Sequence, residues 1–119
     1  MRSSKYIPHY LDGYLIVYRP KEEANKSIFG AKTNVKNTKD MDQIYKLAYR
    51  QSYKRLQDLE FAESSGRSLT LKLKTRLVNG IKNTDKVVIN NVLYDIIHTD
   101  EDLTNRELFF YLEEAYTIE

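Results

Sequence analysis

The stretch RSLTLKLKTRLV, residues 67–78, constrains the fold of this chain more than any other. Leu69, Leu71, Leu73 and Thr75 alternate with Thr70, Lys72, Lys74 and Arg76. Successive side chains of a strand point to opposite faces, so this pattern predicts a strand near 68–77 with one apolar and one basic face. A strand covered on one face cannot stand alone, so the rest of the chain must supply a sheet around it.

Further strand signals are present. GYLIVYR, closed by Pro20, predicts a strand over 14–19. Tyr45, Leu47, Tyr49 and Tyr53 alternate with Lys46, Arg50, Ser52 and Lys54, which predicts a strand over 44–53. A helical stripe of Tyr45, Tyr49 and Tyr53 is the competing pattern, but it leaves Leu47 aside. Lys86–Ile89 and Val92–His98, joined by Asn90-Asn91, form a two-residue hairpin, because Asn tolerates the positive φ such a turn needs. RELFFYLE predicts a closing strand over 107–113, with Leu108, Phe110 and Leu112 on one face and Glu107, Phe109 and Tyr111 on the other, so both faces are candidates for cover. KRLQDLEFAESS predicts one amphipathic helix over 55–64, ended by Gly66. The expected core is Leu59, Phe61 or Ala62, Leu71, Leu73, Val88, Tyr94, Ile96, Phe110 and Leu112.

Short strands joined by tight turns, with one helix, predict a mainly β fold: a small antiparallel β-barrel or sandwich with one short α-helix and a long basic loop. At 119 residues the chain is expected to be a single domain, 1–119. Residues 20–40 carry five lysines and few bulky apolar anchors. They predict a long flexible loop that orders only against a neighbour.

Charge is unevenly placed along the chain. Residues 1–56 hold 12 Lys/Arg against 5 Asp/Glu, net +7, and residues 57–119 hold 7 against 12, net −5. Such a molecule can meet copies of itself through faces of opposite sign. The basic candidates are Lys21, Lys26, Lys32 and Lys36, and the acidic ones Asp100, Glu101, Asp102, Glu113 and Glu114. Ten tyrosines and no tryptophan add Tyr45, Tyr49 and Tyr53 as interface candidates.

Catalytic chemistry finds little support. There is no cysteine, which removes thiolate metal sites, disulfides and cysteine nucleophiles. His9 and His98 lack metal-ligand spacing, and neither a nucleophile elbow nor a glycine-rich phosphate loop is present. The expectation is no enzyme, no cofactor and no metal. No apolar run is long enough to span a membrane, and MRSSKYIPHY lacks the apolar core of a secretory signal. Two basic rows, Lys72/Lys74/Arg76 and Lys46/Arg50/Lys54, with Tyr49 and Tyr53 as stacking surfaces, leave a small single-stranded nucleic-acid-binding barrel as the alternative.

From Leu56 to Glu114 the chain resembles the head–tail joining, or head-closure, family of long-tailed phages. The resemblance rests on Ala62 with Gly66 at the helix end and the basic strand Lys72–Arg76. It continues through Val87, Ile89, Tyr94 and Ile96 of the hairpin to the closing run Leu108-Phe109-Phe110-Tyr111-Leu112. Many members carry Trp-Ala in the strand before the helix, where this chain has Leu47-Ala48-Tyr49. The resemblance implies a structural virion protein of the neck, made in the cytoplasm of the bacterial host. It implies a dodecameric ring with a portal or adaptor protein above and a tail or tail-terminator protein below. Packaged double-stranded DNA would pass through the channel, past Lys72, Lys74 and Arg76, and no membrane is involved.

Overall fold

In a computed structural model that describes residues 9–21 and 41–118, the chain forms six antiparallel strands and one helix. The strands are β1 (Gly13–Pro20), β2 (Met41–Ser52), β3 (Leu71–Arg76), β4 (Lys86–Ile89), β5 (Val92–Asp102) and β6 (Glu107–Thr117), and the helix α1 is Leu56–Ser64. They pair in the order β1-β2-β3-β6-β5-β4 and close into a barrel when Ile16, Val17 and Tyr18 of β1 meet Val88, Val87 and Lys86 of β4. The β2–β3 and β1–β4 ladders are only three residue pairs each, so closure is made by short seams.

The alternation in β3 does what its pattern predicts for Leu73 and Thr75, which are fully buried inside the barrel. Leu15, Val17, Leu47, Tyr49, Val87, Ile89, Ile96, Leu108, Phe110 and Leu112 fill the same interior. One core expectation fails by one position. Val87 and Ile89 face inward and Val88 faces out, because β4 pairs Val87 with Val17 and so takes the phase of β1. Ala62 is buried, while Phe61 is half exposed and turned towards His98. Leu71 and Tyr94 are only half-buried at the margin of the core, and Leu59 packs outside the barrel.

Bulges adjust which side chains face where. Val17 pairs with Tyr45 but Tyr18 with Gln43, so Ile44 is an extra residue, and Ile44 and Tyr45 both pack on the interior. Ile96 pairs with Leu112 but His98 with Tyr111, which places Ile97 and His98 together on the outer wall. β5 also runs four residues past the expected end at His98. Thr99–Asp102 pair with Phe110–Glu107, so a polar stretch becomes strand because its ladder partner is a strong one. The turn shrinks to residues 103–106, with Arg106 at φ 55°.

Local signals hold elsewhere. Asn90 and Asn91 adopt φ 50° and 67°, as the two-residue hairpin requires. Gly66, at φ 73°, follows the last helical turn, where its N–H donates to Glu63 and that of Arg67 to Ala62. Residues 77–85 cover the barrel end where β1 stops, anchored from two sides. Arg19 donates to both carboxylate oxygens of the fully buried Asp85 at 2.9 and 3.0 Å and to the Gly80 carbonyl at 2.7 Å. Tyr45 Oη donates to the Asn79 carbonyl at 2.7 Å. Tyr45 is thus a brace for this loop. Tyr45→Phe should cost about 0.5–1.5 kcal/mol and speed amide exchange across residues 77–85; unchanged exchange there would deny the bracing role.

Candidate functional site

Helix α1 lies across the outer wall of β3, β6 and β5. Ala62 and Leu59 rest there with Leu69 on Tyr111, Phe109 and Ile97. Phe61 meets the His98 ring at 4.8 Å, and His98 stacks on Tyr111 at 4.1 Å. The helix is amphipathic because that wall is aromatic, and it sends Glu60 and Glu63 to solvent.

One buried charge pair sits under the helix. Lys72, on the outer face of β3, has its ammonium 2.8 Å from the Asp58 carboxylate and above the Phe109 and Tyr111 rings. Its residue is only 5% exposed. Asp58 also accepts from the backbone N–H of Arg55 at 3.0 Å and from its guanidinium at 2.9 and 3.2 Å. Asp58 therefore caps the first turn and neutralises Lys72 at once. Burial by itself raises the carboxyl's pKa. The hydrogen bonds from Arg55 and Lys72 outweigh it and hold Asp58 well below the usual carboxylate range.

Beside this pair is a small cleft of about 270 Å³, lined by Ser52, Tyr53, Arg55, Lys72, Asp100, Phe109 and Tyr111. Drug-sized ligands occupy roughly 300–1,000 Å³, so the cleft is scaled to one or two side chains. Tyr53 stands over it with 83% of its surface exposed, and Asp100 is an exposed carboxylate on its wall. Among the described residues no group of three or more His, Asp or Glu could hold a metal ion, and no helix is long and apolar enough to cross a membrane.

The structure separates the candidates named from sequence. Of the basic row on β3, Lys72 is buried against Asp58, Lys74 lies 3.7 Å from Glu107, and only Arg76 is exposed. An outward-facing strand position is not a solvent position here, because α1 covers that wall. Tyr49 is buried in the barrel and not open for stacking; burial raises its hydroxyl pKa. Tyr53 lies beyond the end of β2. Glu113 is half-buried and bound by Arg67 and the Ser68 N–H; chiefly the Arg67 hydrogen bond keeps its pKa below the ordinary value. Glu114, Asp100 and Glu101 are exposed, whereas Asp102 accepts hydrogen bonds from Asn105 in the turn. Lys21 is exposed, 3.9 Å from Asp42. Lys26, Lys32 and Lys36, and most of the long loop, lie outside the described residues. Sequence reasoning missed Asp58 and Arg55. The signal was there, since Asp58 falls three residues after Arg55, where a carboxylate can cap a helix, and acids are favoured in a first turn.

No family model matches the chain, and no curated protein matches it.

The placement of charge around the barrel is decided by topology. Pro20 and Met41 face each other across the β1–β2 ladder, so the twenty residues between them leave and return at one point on the rim. Tyr10, three residues before β1, donates to Glu107 at 2.8 Å, and Asp100 lines the cleft with Ser52 and Tyr53, so the acidic end of β5 and its turn into β6 lie by the start of β1 and the end of β2. In the strand order, β3 separates the two connections on one side and β4 on the other. Pro20 and Met41, between which the lysine-rich connection runs, stand at the other end of the β1–β2 ladder.

Proposed function

We propose that the chain is a structural component of the head–tail connector of a long-tailed phage, a head-closure subunit that forms a ring below the portal or its adaptor. In this reading it extends the DNA channel and offers a docking surface to the tail. The observation that carries it is the separation of the acidic hairpin, beside the start of β1, from Pro20 and Met41, where the lysine-rich connection leaves and returns. A ring of identical subunits needs two different, mutually complementary faces on each copy. Each exposed pair contributes only about 0–1 kcal/mol, but repetition round the ring sets orientation and register.

The state of the β3 row favours this reading over single-stranded nucleic-acid binding. With Lys72 and Lys74 engaged and Tyr49 buried, one of the two rows expected to track phosphates is reduced to Arg76, while Lys46, Arg50 and Lys54 of the other are exposed. A channel through which DNA must slide is served better by sparse cations than by a tight phosphate clamp.

The test is made in the phage whose genome carries the chain, with particles viewed by electron microscopy. Loss of the protein should give heads that package DNA, fail to retain it and carry no tails. Asp100→Lys with Glu101→Lys, both at exposed positions, should fail to restore infectious particles, and salt above roughly 0.5 M should loosen the purified ring because screening removes exposed pairs. Normal particles without the protein, together with tight oligonucleotide binding and a steep salt dependence, would overturn the proposal.

A further inference from the structure

The outward residues of β2 form one surface with the cleft beside the helix. Leu47 and Tyr49 point into the barrel, so Lys46, Ala48, Arg50 and Ser52 point out, and Ser52 lines the cleft. Lys46 and Arg50 are exposed and stand about 13 Å apart along the strand. Lys54 continues the row past the strand end. It gives one donor to the Thr70 carbonyl at 3.1 Å and stays exposed. The acid beside the row is Asp12, which accepts the Gln51 N–H at 2.8 Å.

Two exposed aromatic rings flank the row. Tyr14 on β1 pairs across the ladder with Ala48 and is 63% exposed, with the Lys46 ammonium 5.1 Å from its ring centroid. Tyr53 stands at the other end of the row, over a cleft walled by Phe109 and Tyr111. Within the cleft Arg55 and Lys72 are both bound to Asp58, and Asp100 is exposed. Two cations and two carboxylates leave the cleft close to neutral, whereas the row is cationic. At about 270 Å³, with aromatic walls, the cleft is scaled to one nucleobase, and the row beside it suits phosphates.

We infer that the outer face of β1 and β2 binds single-stranded nucleic acid. Backbone phosphates lie on Lys46, Arg50 and Lys54, one base stacks on Tyr14, and another enters the cleft under Tyr53, where Asp100 accepts one of its N–H groups. A duplex is the poorer fit, because its bases already stack on one another and cannot use the tyrosines. The engaged β3 row plays no part. The inference goes beyond the connector reading and does not rest on it. Three cations without a clamp give weak binding, with a dissociation constant on the order of 10⁻⁴–10⁻⁶ M at physiological salt.

The experiment follows the fluorescence anisotropy of a short labelled oligo(dT) titrated with the whole chain between about 50 and 200 mM salt. Three phosphate contacts predict a slope of log affinity against log salt of about −2, and Lys46→Ala with Arg50→Ala should bring it to about −0.7. Tyr53→Ala and Tyr14→Ala, both at exposed positions, should each weaken binding about 5- to 150-fold through lost stacking. Arg76→Ala, exposed on β3, should leave it unchanged. A duplex and an abasic strand of equal length should each bind at least about fivefold more weakly than oligo(dT). No binding at about millimolar chain would overturn the inference. So would tyrosine variants that bind like the unaltered chain, a salt slope untouched by the β2 substitutions, or an abasic strand or duplex held as tightly as oligo(dT). The two proposals fail separately. Leaking, tail-less heads in the deletion with no oligonucleotide binding keep the connector role and remove this surface. Normal particles in the deletion with weak, tyrosine-dependent binding remove the connector role and keep the surface.

Discussion

Asp58→Ala should destabilise the fold by about 3–5 kcal/mol, read as a lower urea midpoint at pH 7, although the residue lies outside the barrel. The reason is what it leaves behind. The Lys72 ammonium would stay buried under α1 with only ring faces near it, and Arg55 and the first turn of the helix would lose their acceptor. A marginal fold of about 5–15 kcal/mol would lose a large share of its stability. Asp58→Ala combined with Lys72→Met should recover most of the loss, since the buried charge goes with its partner. If the double variant is as unstable as the single one, the effect belongs to the cap and not to the pair. The pH dependence has a defined sign. The carboxyl is more acidic folded than unfolded, where Asp titrates near about 3.9, so its contribution is present above that value and is lost as pH falls towards the folded one. Glu113, lowered chiefly by the hydrogen bond from Arg67, acts in the same direction. Stability should therefore drop between about pH 5 and pH 2, and Asp58→Asn should flatten part of that drop.

Phe110→Ala should cost about 3–5 kcal/mol as well, through a cavity instead of a stranded charge. Phe110 is fully buried and is the largest such side chain among the described residues, facing Leu73 and Thr99 across its two ladders. Phe110→Leu keeps much of the volume and should lose clearly less. The neighbouring ring gives the control. Phe109 points outward to the helix-covered wall and is only half-buried, so Phe109→Ala should cost less and should act mainly on the docking of α1. Equal losses at the two positions, or the larger loss at Phe109, would mean that the strand is registered one residue away from the arrangement described.

The two faces of β6 show how much of the fold was legible beforehand. Leu108, Phe110 and Leu112 alternate with Glu107, Phe109 and Tyr111, and a strand with bulky residues on both faces implies cover on both. The barrel interior and α1 supply it. The same logic misjudged β3. Its basic face reads as solvent-exposed, but Lys72 lies across the ladder from Tyr111 and falls under the same helix. A lysine in an alternating strand looks identical whether water or a helix lies above it. What distinguishes the cases is a carboxylate fourteen residues upstream, Asp58, and that pairing is non-local. The cleft was illegible for the same reason, as its walls come from β2, β3, β5, β6 and the segment before α1.

The sequence by itself determined the local geometry. The period of two in β2, β3 and β6, the Asn90-Asn91 turn and the Gly66 helix stop follow from side-chain direction and from allowed φ values, both of which act over a few residues. It also determined the class, mainly β with one helix, because such alternation can be buried only in a sheet. Tertiary structure alone decided the phase of β4, the four-residue extension of β5 and the burial of Lys72. Each depends on which strand lies beside which. Strand order and bulges are set by packing contacts between residues far apart in the chain, and a one-residue shift in register turns every side chain of a strand to the other face.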